Sequence, residues 1–148
     1  MQQKKMLIAC DHGGFLLKET LKEYLTQKGF TVVDYGTDSK ESVNYPDYAK
    51  KLVRGIQKKV ATKGILICTS GIGMSIAANR YSFIRAALVS NPELAHMARL
   101  HNNANVLVFG ANYIKSKVAK QCVDEFLKTE FEGGRHSCRV QALGRMGK

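Results

Sequence analysis

No apolar run in the 148 residues approaches the roughly 18 needed to cross a bilayer, which argues against a membrane span. The opening MQQKKMLIACDHGG has two lysines followed by only five apolar residues before Asp11. It therefore lacks the core of a signal peptide, and the expected location is the cytoplasm. Cysteine is sparse and scattered: Cys10, Cys68, Cys122 and Cys138 form no C-x-x-C pair, so neither a zinc ribbon nor a disulfide scaffold is indicated. Acids are also few. Twelve aspartates and glutamates face 23 lysines and arginines, a net charge of +11, which favours anionic partners such as phosphorylated metabolites or nucleic acid. The alternative is that most of these lysines solubilise the surface. No stacking-aromatic motif of the kind used by RNA-binding sheets is present, and there is no internal repeat or low-complexity linker.

What is present is globular: 45% hydrophobic and 24% charged residues, in a chain the length of one domain, 1–148. Periodicity alternates between strand and helix. MLIAC (6–10) reads as a buried strand. The helix after it carries Leu17, Leu21, Tyr24 and Leu25 on one face and is closed by Gly29. FTVVDYG (30–36) is a second strand, followed by a helical stripe of Ala49, Leu52, Val53, Ile56 and Val60. GILIC (64–68) is the third strand, leading into a helix over about 73–80, and IRAALVS (84–90) is the fourth. Asn91-Pro92 then opens a helix as a cap with proline at the first helical position. NVLVFG (105–110) is the fifth strand, and a last long helix carries Val118, Cys122 and Phe126. The pattern predicts an α/β fold: a single doubly wound, Rossmann-like or flavodoxin-like domain with a five-stranded parallel sheet in the order 2-1-3-4-5. A basic C-terminal tail, 133–148, has no acid and is expected to be helical and to pack on the body or on a partner subunit.

In such sheets ligands bind beyond the carboxyl ends of the strands where the order reverses, here between strands one and three. Their ends are Cys10-Asp11-His12-Gly13-Gly14 and Cys68-Thr69-Ser70-Gly71-Ile72-Gly73, the two most chemically loaded stretches of the chain. The second also opens a helix, so N–H groups without helical partners should face a phosphate, carboxylate or enolate oxygen. It matches neither G-x-x-x-x-G-K-[ST] nor G-x-G-x-x-G. A thiol such as Cys68 beside a helix N-terminus is a base or nucleophile candidate, against the alternative of a small buried apolar residue. His101 ends the helix before strand five, where the macrodipole alone would favour it. Arg135 and Arg139, four apart, share a helix face and suit a phosphate, or else a solvated tail.

CDHGG near the N-terminus, NYPDYA (44–49), ILICTSGIGMSIAANR (65–80), RLHNNANVLVFGA (99–111) and EGGRHSCRV (132–140) together resemble the family of type B ribose-5-phosphate isomerases and galactose-6-phosphate isomerase subunits. The resemblance runs through nearly the whole chain. It implies interconversion of ribose 5-phosphate and ribulose 5-phosphate through a cis-enediolate, with no cofactor, no metal and no nucleic-acid partner. Allose 6-phosphate and galactose 6-phosphate are the six-carbon alternatives, and a non-catalytic basic nucleotide-binding or RNA-binding module is the alternative of another class. By the resemblance Cys68 is the base, Thr69 its hydroxyl partner, and His101 with Asp11 and Tyr45 opens the sugar ring. The backbone of Gly71, Ile72, Gly73, Met74 and Ser75 forms the anion hole. His12, Arg135 and Arg139 hold phosphate, and Asn102 meets sugar hydroxyls. Sites are implied to be shared between subunits of a homodimer or a dimer of dimers. One departure stands out: where many relatives carry a phosphate-binding arginine after strand five, this chain reads FGANYIK, with Asn112 and, further on, Lys115.

Overall fold

The computed structural model describes residues 4–147, so residues 1–3 of the expected domain and residue 148 of its tail lie outside the described residues. Three strands form the middle of the sheet because their sequences are apolar on both faces. They are β1 (Lys5–Cys10), β3 (Gly64–Cys68) and β5 (Val106–Gly110), and only Lys5 among their residues is exposed. Alternation sends their side chains two ways. Met6, Ile8, Cys10, Ile65, Ile67, Leu107 and Phe109 pack against α1 (Phe15–Gln27), α4 (Pro92–Asn102) and α5 (Ser116–Lys128). Leu7, Ala9, Leu66, Cys68, Val106 and Val108 pack against α2 (Tyr45–Gln57) and α3 (Ile72–Ala78). The chain ends in α6 (Arg135–Arg145), so the tail is helical as expected.

All strand pairs are parallel, and the order is β2-β1-β3-β5-β4, with β2 (Thr31–Asp34) and β4 (Ala86–Leu88) at the edges. This corrects the expected 2-1-3-4-5 at one side, where strands four and five exchange places. The reason is burial. An inner strand must bury both faces, which VLVFG does completely, whereas β4 has two alanines and a Leu88 that is 40% exposed. The exchange leaves the crevice untouched: the chain still leaves β1 toward one edge and β3 toward the other, so their carboxyl ends part as predicted.

Local signals are met where side chains satisfy backbone. Asn91 Oδ1 accepts the Leu94 N–H at 2.9 Å with Pro92 opening α4, and Gly29, at φ +92°, follows the end of α1. The stripe of α2 ends earlier than expected, at Gln57, so Val60 packs from the loop.

One ion cluster pins β2 to α1. Lys18 is fully buried, with its Nζ 2.6 Å from Asp34 and 3.3 Å from Glu19, and Lys22 reaches Asp34 at 2.8 Å. Burial pushes the Asp34 carboxyl up, but the two ammonium groups and the Gly36 N–H outweigh it and hold the carboxyl below its usual range. Asp34→Asn should therefore cost about 3 kcal/mol, the low end for stripping a buried charge of its partner, since Glu19 still faces Lys18. A carboxyl lowered by folding stabilises above its unfolded value and loses that contribution as pH falls through the folded one. Urea titrations of the two proteins should therefore differ near neutral pH, with the difference shrinking as pH falls through the ordinary carboxyl range and vanishing only below the lowered folded value; a constant difference at all pH values would contradict the ion-pair assignment.

Candidate active site

At the end of β3 the chain turns through Thr69 and Ser70 into Gly71, whose φ of +80° lies in the left-handed region that favours glycine. A Cβ there would also stand 2.9 Å from the Phe109 carbonyl carbon. This turn aims the Gly71 N–H at Cys68 Sγ, 3.1 Å away. A donor on sulfur suits a thiolate. The five N–H groups from Gly71 to Ser75 do not serve alike: Gly71 is spent on sulfur, Ile72 donates to Ser70 Oγ at 3.2 Å, and Ser75 donates to the Gly71 carbonyl at 3.0 Å. Gly73 and Met74, in the first turn of α3, remain the donors without an acceptor among the described residues. The Met74 side chain is buried in the core, so its N–H is what it offers.

The second turn meets the first at contact. A Cβ on Gly13 would collide with Thr69 Oγ1, and one on Gly14 would lie 2.6 Å from the Ile67 side chain. Asp11, buried, accepts the Gly13 N–H at 2.9 Å and gives its own N–H to the Ile67 carbonyl at 3.1 Å. His12 Nδ1 accepts the Val43 N–H at 3.1 Å, which leaves the imidazole proton on Nε2, free to donate. Tyr45, at the start of α2, lays its ring on Gly73, where a Cβ would stand 2.6 Å from two ring carbons. Asp11, His12, Tyr45, Cys68, Thr69 and the 71–75 backbone thus form one group at the carboxyl edge of the sheet.

His101, Asn102, Arg135 and Arg139 are elsewhere. Helix α4 begins beyond the carboxyl end of β4 and finishes just before β5, so His101 and Asn102 sit at the amino edge. The separation from Cys68 is on the order of 15 Å, the length of a five-residue strand. Arg99, buried, holds this corner: its Nε donates to the Thr129 carbonyl, and its Nη1 donates to Asn103 Oδ1 and the Ala104 carbonyl. The Glu132 N–H donates to the Leu100 carbonyl, and this contact starts α6 beside His101, whose ring stacks on His136 at 4.2 Å. Arg135 and Arg139 are exposed on α6, and Asn102 opens into a cleft of about 820 Å³ with Arg80, Arg85 and Leu143. Asn112 lies on Cys68's side, its N–H on the Thr69 carbonyl at 3.1 Å, with Lys115 exposed nearby in sequence.

The comparisons with known proteins decide the family. The family model described as Ribose/Galactose Isomerase matches residues 6–143. The chain belongs to the ribose/galactose isomerase family. A ribose 5-phosphate isomerase structure from Thermotoga maritima superimposes with a TM-score of 0.95 at 52% identity, covering 98% of this chain and 100% of that one. Ribose-5-phosphate isomerase B of Escherichia coli is 43% identical over 95% of this chain and 94% of its own length. The Mycoplasma genitalium enzyme, solved with bound ribulose-5-phosphate, matches with a TM-score of 0.92 at 38% identity, covering 98% and 97%.

Within this family member, sequence reasoning missed Val43, Glu132 and His136. Val43 acts through a backbone N–H, which no residue type announces. His136 sits between the two expected arginines, and only packing distinguishes it as the buried position of α6. The thiols at the two strand ends also separate. Burial pushes Cys10, on the face opposite Cys68, up to about 12, and likewise pushes Cys122 up to about 11. Iodoacetamide near neutral pH should leave Cys10 and Cys122 of the folded protein unmodified by mass spectrometry; labelling of either would contradict this division.

Proposed function

We propose that this chain is a ribose-5-phosphate isomerase, interconverting D-ribose 5-phosphate and D-ribulose 5-phosphate through a cis-enediolate. The observation that carries the reading is the Cys68 sulfur, held by the Gly71 N–H beside the unpartnered N–H groups of Gly73 and Met74. The thiolate takes the proton from C2 and returns it to C1. Thr69 moves the proton between the two sugar oxygens. The Gly73 and Met74 N–H groups stabilise the enediolate oxygen, each donor worth about 3 kcal/mol at the transition state. Asp11 and His101 exchange protons with the ring oxygen and the anomeric hydroxyl during ring opening, with Tyr45 beside them. His12 donates its Nε2 proton to phosphate, and Arg135 and Arg139 supply its counter-charge. Asn102 binds a sugar hydroxyl. We assign the reaction to the cytoplasm; no helix among the described residues is long and apolar enough to cross a membrane.

Two half-sites at opposite ends of one domain work together when two copies associate, each giving His101, Asn102, Arg135 and Arg139 to the other's Cys68. A homodimer is supported by the surfaces left uncovered: Ile72 and Ile76 on α3 are each more than half exposed, and α6 buries only His136. The six-carbon and nucleic-acid alternatives are not favoured, since the similar proteins act on ribose 5-phosphate or hold ribulose-5-phosphate by their names.

The purified chain in excess EDTA should form ribulose 5-phosphate from ribose 5-phosphate, and Cys68→Ala should lose at least about a hundredfold in kcat while still binding the sugar phosphate. Near-normal turnover by the variant would overturn the base assignment. Co-expressing Cys68→Ala with His101→Asn tests the shared site. A heterodimer then holds one intact and one doubly defective site, so a statistical mixture should regain about one quarter of wild-type activity. No recovery would mean that each site is built within one chain.

A further inference from the structure

At the amino edge, His101, Glu132 and His136 bring one ligand atom each to within 4.8 Å of one another. Glu132 Oε2 lies 3.5 Å from His101 Nε2 and 3.7 Å from His136 Nε2. Ligands about 2.1 Å from a tetrahedral zinc stand roughly 3.4 Å apart, so both separations are close to what one ion requires. An independent observation points the same way. The His136 side chain is only 9% exposed, yet its Nε2 is buried with no hydrogen-bond partner among the described residues. Buried polar atoms of native proteins are almost always partnered.

We propose that His101, Glu132 and His136 form a site for a borderline transition-metal ion, Zn²⁺ foremost, which inhibits the enzyme reversibly by occupying His101 Nε2. Two imidazoles and one carboxylate suit zinc or its neighbours in the first transition row, whereas Mg²⁺ and Ca²⁺ want oxygen ligands alone. His136 is the fixed ligand, since its ring is packed in place. The rings stack with 14° between their planes, so one ring must turn before both nitrogens aim at a single ion. His101, whose side chain is 31% exposed at a helix end, has room to swing its Nε2 toward the ion. Water completes the tetrahedron. Arg135 and Arg139, on the helix of His136, oppose a cation. Their repulsion keeps the affinity modest, as a reversible inhibitor site needs.

The inhibition rests on the role given to His101 above, whereas the binding does not, and the test keeps the two apart. Co²⁺ titrated into metal-stripped protein should give the intense visible absorption of a tetrahedral site, saturating at one ion per chain and displaced by Zn²⁺. Glu132→Gln and His136→Asn should each weaken binding by more than about tenfold, since losing a ligand exceeds losing an outer-shell contact. Glu132 is half exposed, so its variant remains informative if His136→Asn fails to fold. Zn²⁺ should abolish turnover of the native protein at the concentration that displaces Co²⁺, with EDTA restoring it. Absence of the absorption, or its persistence in Glu132→Gln, would overturn the site. Stoichiometric Zn²⁺ binding with turnover intact would overturn the inhibition. A chain with no isomerase activity would defeat the functional reading alone, leaving the Co²⁺ spectrum to decide the site.

Discussion

The carboxyl edge depends on two turns packed so closely that only glycine fits where they meet. Gly13 lies against Thr69 and Gly14 against Ile67, and a Cβ on Gly110 would run into the Ser70 carbonyl. Each of these glycines costs on the order of 0.5 to 1 kcal/mol of extra conformational entropy. The strands that deliver them more than offset it: Leu7, Ile8, Ile65, Leu66, Ile67 and Phe109 are fully buried, and each contributes roughly 1.5 to 3 kcal/mol. A rigid apolar sheet therefore supports a polar crevice at its end. The sulfur, the two free N–H groups and the Asp11 carboxylate are brought together by the same contact.

Electrostatics divides the molecule in a matching way. The carboxyl-edge half presents an imidazole whose Nδ1 accepts a backbone N–H, and peptide N–H groups in a helix's first turn. The amino-edge half carries the guanidinium groups. Arg99, buried, is spent on three hydrogen bonds that hold the end of α4, while Arg135 and Arg139 face outward from a helix that hardly touches its own domain. An anionic substrate needs both kinds of group. In one chain the two kinds stand at opposite edges of the sheet.

Strand-end cysteines show how a face decides chemistry. Cys10 and Cys68 both finish inner strands and are both buried, but they fall on opposite faces of the sheet. Cys10 is enclosed by α1 and α5 residues and gives its proton toward the Thr37 carbonyl. Cys68 opens on a turn whose Gly71 N–H points back at it. Residue type and strand position are the same in the two cases, and the differences are the face of the sheet and the element that follows.

Much was legible in the sequence because it is written locally. Alternation of apolar runs marked five strands and the helices between them, Asn91-Pro92 marked the start of α4, and the two glycine-rich strand ends marked the crevice. The order of β4 and β5 was not legible to the expectation of consecutive neighbours, although the uninterrupted VLVFG against an alanine-rich AAL carried the signal. Nor was the distance between Cys68 and His101, since motifs adjacent in a list can lie at opposite ends of a sheet. The sequence by itself determined which faces are apolar and which turns need glycine, because those follow from side-chain period and backbone sterics over a few residues. Only the tertiary structure decided which strands are neighbours, which buried nitrogen lacks a partner among the described residues and which candidate residues stand at opposite edges, because these depend on packing among residues far apart in the chain.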